Sequence, residues 1–189
     1  MKIVLASKSP RRKEILEDAS FFVEADISGV DEDIVKAQVP DLLKLSKTLA
    51  EMKVQAVSKR HKNSIIIGAD TLVSFNGEEI GQQKTKEDAK KTLIRLSGKE
   101  HEVITGVCVL NTANGKKASG NVISKTRLKN LDESEINEYV NSGLYMGKAG
   151  AYNIDDPEFK SYVESVKGSF TNIKGLPIEK TMKMIKEVS

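Results

Sequence analysis

The chain has 189 residues, of which 39% are hydrophobic and 30% are charged, and its formal net charge at neutral pH is +3. These values are typical of a soluble globular protein, and the positive charge is too scattered to predict nucleic-acid binding. No apolar run approaches the roughly 20 residues of a membrane span, and the first strand is too short for a signal peptide, so we expect a cytoplasmic protein without a membrane partner.

The sequence offers few soft metal ligands. Cys108 is the only cysteine, which excludes an internal disulfide, and its setting between Val107 and Val109 predicts a buried strand residue. With His61 and His101 as the only histidines, the usual zinc site cannot be assembled. Any metal must therefore rest on carboxylates, which favours Mg²⁺ or Mn²⁺.

A strand, a polar turn and a helix are predicted within residues 1–16. The apolar run Ile3–Ala6 is typical of a buried strand, and Pro10 suits the first turn of the helix that follows. The turn and the helix start bring together two hydroxyls and two guanidinium groups, those of Ser7, Ser9, Arg11 and Arg12. With the free N–H groups of the helix N-terminus, they suit a phosphate. A capped helix with a solvated basic first turn remains the alternative.

The remaining elements follow from hydrophobic periodicity and from cap and turn signals. Further strands are predicted at Phe21–Asp26, Ser64–Ala69 with its continuation Leu72–Phe75, His101–Leu110 and Lys117–Leu128. Further helices are predicted over Asp41–Arg60, from Thr85 to Leu96, from Asp132 to Gly143, and from Pro177 onward. The segment Phe159–Val166 fits a helix or a strand, and Gly29–Asp33 and Gly168–Asn172 are predicted loops. Because two long strands form a hairpin at Asn114-Gly115, we expect an α/β fold with a mixed sheet.

Two positions stand out for chemistry. Asp70 follows the most apolar strand and is held inside extended structure, which would present a carboxylate rigidly at a cleft; a cap is the alternative. Lys53 lies at the border of an apolar helical stripe, where a long side chain can extend toward a cleft. Taken alone, Lys53 is an ordinary surface lysine, and the acidic run Asp31–Asp33 is a solvated turn.

Five ordered segments carry a family resemblance. They are Ser7-Lys8-Ser9-Pro10-Arg11-Arg12, Gly68-Ala69-Asp70-Thr71, Leu96-Ser97-Gly98-Lys99-Glu100-His101, Lys148-Ala149-Gly150-Ala151-Tyr152 and Gly175-Leu176-Pro177. Together they resemble the Maf family of nucleoside triphosphate pyrophosphatases, over nearly the whole chain from Ala6 to Pro177.

The resemblance implies one domain over residues 1–189, with two lobes around a central cleft, similar in fold to the inosine triphosphate pyrophosphatases. It implies hydrolysis of a nucleoside triphosphate to the monophosphate and pyrophosphate with a divalent cation, Mg²⁺ or Mn²⁺. Arg11 matches the branch that resembles dTTP and UTP pyrophosphatases, so these or modified nucleotides are the expected substrates, and a homodimer is possible. The alternative is a catalytically silent nucleotide-binding regulator of cell division.

The resemblance also assigns roles to residues. Asp70 is the expected catalytic residue, and Glu32 with Asp70 the expected metal site. The expected substrate-binding residues are Ser7, Ser9, Arg11, Arg12, Lys53, Lys84 and Asp155. Lys84 is included because Gly81-Gln82-Gln83 stands where the family commonly has Gly-Lys-Pro. Similarly, Asn153-Ile154-Asp155 stands where Gly-Ile-Gln is common. Both departures concern substrate contacts and leave the acidic centre intact.

Overall fold

Seven strands and eight helices alternate along the chain in a computed structural model that describes all residues, 1–189. The strands are β1 (Lys2–Leu5), β2 (Val23–Ala25), β3 (Ser64–Phe75), β4 (Glu78–Ile80), β5 (Glu100–Asn111), β6 (Lys117–Leu128) and β7 (Val163–Lys167). The helices are α1 (Pro10–Asp18), α2 (Glu32–Gln38), α3 (Leu42–Ser58), α4 (Lys86–Leu96), α5 (Glu133–Ser142), α6 (Pro157–Lys160), α7 (Phe170–Lys174) and α8 (Ile178–Val188).

The strands form a mixed sheet in the order β2-β1-β3-β5-β6-β7, with β4 paired to β3. Strand β1 runs parallel to both β2 and β3, whereas β4 is antiparallel to β3 and β7 is antiparallel to β6. Parallel neighbours need crossover connections, which α1 and the α2–α3 segment supply. The predicted α/β fold with a mixed sheet is confirmed. No helix combines the length and apolar character that crossing a membrane requires.

The chain divides into two compact units. The first unit comprises residues 1–71, 104–122 and 171–189, and the second comprises residues 72–103 and 123–170.

The first unit has three layers, because successive side chains of a strand point to opposite faces of the sheet. On one face, Val4, Ile66 and Cys108 pack against Ala50 and Val54 of α3. The other face packs against α1 and α8, through the buried residues Leu5, Ile67, Val107, Leu16 and Ile185. Cys108 is fully buried, as predicted.

Helix α3 approaches the sheet closely at two glycines. A Cβ atom on Gly68 of β3 would lie 2.7 Å from the carbonyl oxygen of Ala50, and one on Gly106 of β5 would lie 2.2 Å from that of Ser46. Carbon and oxygen atoms cannot approach so closely without displacing the backbone. The absence of side chains at these two positions therefore allows the helix backbone to lie against the strands.

The second unit contains a buried aromatic cluster. The rings of Tyr152 and Phe159 are stacked with centroids 4.3 Å apart, and Tyr139 packs against Phe159 at 4.8 Å. His101 lies edge-on to Tyr152, with its Nε2 atom 2.6 Å from the Tyr152 hydroxyl. Because His101 is 2% exposed, this contact lies inside the unit.

Most predicted boundaries are confirmed. Thr85 caps α4 by accepting a hydrogen bond from the Asp88 N–H at 3.1 Å, and Asp132 with Glu135 forms a capping box at the start of α5. Gly143 ends α5 with φ of 76°, and the hairpin between β5 and β6 is present.

Two predictions about local structure need correction, and one that was left open is decided. The prediction of a loop over Gly29–Asp33 is wrong for its last residues, since Asp31 caps α2 and Glu32 is the first residue of that helix. The predicted loop at Gly168–Asn172 contains the start of α7. The ambiguous segment Phe159–Val166 takes both structures, because α6 ends at Lys160 and β7 begins at Val163.

Candidate active site

A lysine bridges two carboxylates in the first unit. Lys53 Nζ lies 2.7 Å from Asp70 Oδ1 and 2.7 Å from Glu32 Oε1. The two carboxylate oxygens are therefore no farther apart than twice that distance. Lys53 is 6% exposed and Asp70 is 5% exposed, so Lys53 is a buried residue and not the surface lysine that its position in the helix suggested.

Each member of this cluster is placed by a regular element. Asp70 lies in β3 two residues after Gly68, so its side chain points to the same face as Gly68, toward α3. Lys53 lies in the middle of α3, next to Val54, whose side chain limits the approach at Gly68. Glu32 begins α2, where the Asp31 side chain accepts a hydrogen bond from the Asp33 N–H at 3.1 Å.

A second network lies around Thr71, whose side chain points to the face opposite Asp70 because the two residues are adjacent in a strand. Arg12 of α1 donates from Nη2 to Thr71 Oγ1 at 3.1 Å and from Nε to the Gly175 carbonyl at 2.8 Å. Its Nη1 atom donates to Ser7 Oγ at 3.2 Å. Thr71 Oγ1 is also hydrogen-bonded to Thr105 Oγ1 at 3.0 Å. The guanidinium group is thus held by three acceptors, one each from Ser7, Thr71 and Gly175.

Electrostatic coupling connects the two networks. Burial alone would raise the pKa of Glu32, but the positive charge and hydrogen bond of Lys53 outweigh it and hold that pKa below its usual value. Burial lowers the pKa of Arg12, and the negative charges of Asp70 and Glu32 oppose that effect. A guanidinium stays protonated under these conditions. The centre therefore holds two carboxylates and two cations close enough to influence each other.

The donor set of this centre suits a hard divalent cation. Asp70 Oδ2 is buried and has no hydrogen-bond partner, although a buried carboxylate oxygen normally has one. Glu32 supplies a second carboxylate, and Mg²⁺ is commonly held by one or two carboxylates together with substrate phosphates. The carboxylates of Glu32 and Asp70 are therefore of the chemical type that binds a divalent cation.

The structure brings together five of the predicted site residues: Ser7, Arg12, Glu32, Lys53 and Asp70. Ser9 is the N-cap residue of α1, but its side chain makes no capping bond. Its N–H donates to Ser7 Oγ at 3.1 Å, so that N–H is not free. Arg11 is partly exposed and makes none of the hydrogen bonds that hold Arg12.

Lys84 and Asp155 belong to the second unit and are exposed. Lys84 lies in the connection between β4 and α4. Asp155 follows Asn153 in a turn, and its N–H is 3.5 Å from the Asn153 side-chain oxygen. Their assignment to substrate binding stays a prediction.

Three residues of the network around Arg12 were not predicted as site residues: Thr71, Thr105 and Gly175. Two of them lay inside segments that the resemblance had marked, next to Asp70 and before Leu176. The alternation of side chains along a strand predicts that Thr71 and Asp70 point to opposite faces of the sheet, and this could have indicated a second set of contacts around Thr71. Nothing in the sequence near Thr105 indicates its contact.

The fold and the site define an α/β protein with a cluster of two carboxylates and two cations around the buried pair Lys53 and Asp70. Its family follows from comparison with known proteins: the chain belongs to the Maf-like protein family, whose model matches residues 2–188.

Among its relatives, the chain is 42% identical to the dTTP/UTP pyrophosphatase of Alkaliphilus metalliredigens (strain QYMF), covering 94% of this chain and 91% of the relative. It is 38% identical to the dTTP/UTP pyrophosphatase of Clostridioides difficile (strain 630), covering 99% and 95% respectively. Among solved structures, a HAM1 protein from Coxiella burnetii matches with a TM-score of 0.49 and 14% identity, over 99% of both chains.

Proposed function

We propose that this protein hydrolyses nucleoside triphosphates to the nucleoside monophosphate and pyrophosphate, with dTTP and UTP as the preferred substrates. One observation carries the proposal: the buried Lys53 bridges the exposed carboxylate of Glu32 and the buried carboxylate of Asp70, beside Arg12. The names of the full-length relatives support the same activity and the same substrates.

The groups in this centre match the needs of phosphoryl transfer, which depends mainly on positioning and electrostatic stabilisation. Lys53 and Arg12 supply positive charge for the phosphate oxygens of the substrate. Asp70 has an oxygen, Oδ2, that is free to accept a hydrogen bond from an attacking water. Glu32 and Asp70 would hold a divalent cation, which would neutralise the charge that develops on the phosphates.

The proposed reaction consumes one water molecule. The water oxygen forms a bond to one of the two phosphorus atoms of the α–β anhydride, and the bond from that phosphorus to the bridging oxygen breaks. The products are the nucleoside monophosphate and pyrophosphate. We assign to Asp70 the role of orienting the water and accepting its proton.

The first test is Asp70→Asn, assayed by pyrophosphate release from dTTP, UTP, CTP and GTP with Mg²⁺ or Mn²⁺. The amide is similar in shape to the carboxylate, but it cannot accept the proton and loses its charge. We expect turnover to fall at least about a hundredfold, the scale of general acid–base catalysis. Nucleotide binding, followed by thermal shift, should persist and show that the variant is folded.

Asp18→Asn is the matched control, since Asp18 is an exposed carboxylate at the end of α1 and the change in charge is the same. It should leave turnover unchanged. Near-normal pyrophosphate release by Asp70→Asn would remove Asp70 from the mechanism. If the wild-type protein binds dTTP but releases pyrophosphate from no nucleotide, the proposal of an enzyme fails and that of a nucleotide-binding regulator takes its place.

A further inference from the structure

The segment that carries Glu32 is tied to α3 at both of its ends. At one end, Glu32 contacts Lys53 of α3 at 2.7 Å. At the other end, Asp26 contacts Arg60 and His61, which lie in the turn directly after α3. Lys53 and Arg60 are seven residues apart, about two helical turns. Residues 27–31, between the two anchored carboxylates, contain no regular secondary structure.

Arg60 makes the larger share of the contacts at the far end. Its Nε donates to Asp26 Oδ2 at 2.9 Å, and its Nη2 donates to Asp26 Oδ1 at 2.9 Å, which is the bidentate geometry of a strong arginine–carboxylate pair. Nη2 also donates to the Ile27 carbonyl at 2.8 Å. Arg60 therefore holds both a side chain and the backbone of the segment.

Asp26 is well placed to act as the fixed end. Its N–H donates to the Leu5 carbonyl at 3.0 Å, which ties it to the end of β1. His61 Nε2 lies 2.8 Å from Asp26 Oδ2. Hydrogen bonds from Arg60 and His61 lower the pKa of Asp26 to about 2, so the carboxylate is charged at neutral pH.

We propose that Arg60 is a positioning residue: by holding Asp26 and Ile27 it fixes the start of the segment that places Glu32 across Lys53 from Asp70. In this role Arg60 needs no contact with the substrate or the cation. It acts through Glu32, the least constrained member of the centre, whose side chain is 45% exposed. The part of this proposal that concerns turnover rests on the proposed function.

The physical reason is conformational entropy. Without Arg60 the Ile27 carbonyl loses its hydrogen bond and Asp26 keeps only its contacts with His61 and Leu5, so the segment samples more backbone conformations and Glu32 faces Asp70 less often. Gly29 has a φ of 66°, and glycine loses more backbone freedom on ordering than any other residue. The contact of Arg60 with residues 26 and 27 offsets part of that cost.

Arg60→Ala tests the proposal, with Arg127→Ala as the matched control. Arg127 is an arginine of similar exposure whose Nε donates to Glu164 at 2.9 Å in the second unit. The first readout is amide hydrogen exchange of the free protein. We expect faster exchange in residues 27–34 for Arg60→Ala and no change there for Arg127→Ala. Equal exchange in wild type and Arg60→Ala would overturn the proposal.

The second readout is Mn²⁺ binding without nucleotide. Groups that orient a metal ligand typically contribute tenfold or more to affinity, so Arg60→Ala should weaken Mn²⁺ binding about tenfold. Arg60→Lys, which cannot form the bidentate pair, should fall between wild type and alanine. A Mn²⁺ affinity for Arg60→Ala equal to that of Arg127→Ala would contradict the assigned role.

The third readout is turnover as a function of Mn²⁺ concentration. Arg60→Ala should need about tenfold more cation for half-maximal rate, while kcat at saturating cation stays near wild type. A loss of kcat that saturating cation does not restore would show that Arg60 acts by another route. If wild type releases no pyrophosphate, the proposed function fails, and the exchange experiment still decides the role of Arg60.

Discussion

His101 should make the stability of the protein depend on pH. It is 2% exposed and contacts the Tyr152 hydroxyl, and burial lowers its pKa from 6.5 to about 4. Between these two values the unfolded chain binds a proton that the folded chain does not. Stability from this group is therefore complete above about pH 6.5, falls as the pH decreases, and reaches its minimum below about pH 4.

The size of the effect follows from the difference in pKa. Each pKa unit corresponds to about 1.4 kcal/mol, so lowering the pH from 7.5 to 4 should remove about 3 kcal/mol of the free energy of unfolding. This is a large part of the 5–15 kcal/mol that is typical of native proteins. His101 is almost completely buried, so solvent screening does not reduce the value appreciably.

The measurement compares wild type with His101→Gln by urea unfolding at both pH values. Glutamine cannot gain a charge, and every other titrating group is common to the two proteins. Wild type should lose about 3 kcal/mol more than the variant on acidification, whatever their relative stability at pH 7.5. Equal losses would mean that folded His101 titrates normally, and would refute the reasoning from burial.

Two further predictions concern Cys108 and Asp155. Cys108 is fully buried, and burial raises the pKa of its thiol to about 12. Cys108→Ala should therefore lower the free energy of unfolding in urea by about 1 kcal/mol and leave pyrophosphate release unchanged. A large loss of turnover at unchanged stability would contradict this. Asp155→Gln should raise activity on dTTP and UTP relative to CTP and GTP, because an ionised carboxylate only accepts hydrogen bonds whereas an amide also donates to pyrimidine carbonyls. The same ranking of the four nucleotides before and after the change would place Asp155 outside the base-binding site.

Elements with local signals were predictable from sequence. The helix from Asp132 to Gly143 has a capping box at one end and a glycine at the other, and the structure contains both. Helix α2 was missed because only Val35 is buried in its seven residues, which leaves no apolar periodicity to detect. Helix α7 is five residues long, too short for such a pattern.

Five residues of the candidate site were predictable from the sequence, but their contacts were not. Asp70 was expected in a rigid strand, and it lies there. The contact of Arg12 with Gly175 spans 163 residues of sequence, and that with Thr71 spans 59. Such contacts depend on how α1 packs against the sheet, which a single sequence does not specify. The burial of Lys53 was hidden for the same reason, since Asp70 and Glu32 compensate its charge only in the folded chain.

The close approach of α3 to the sheet at Gly68 sets the distance between the helix that carries Lys53 and the strand that carries Asp70. Where a helix packs on a sheet through large side chains, the distance between the helix and the sheet changes with the size of those side chains. At Gly68 a Cβ atom would lie 2.7 Å from both the Ala50 carbonyl oxygen and the Val54 side chain, so any larger residue there would push α3 away from β3. Because Lys53 belongs to α3 and Asp70 to β3, a single methyl group at Gly68 should lengthen the contact between them.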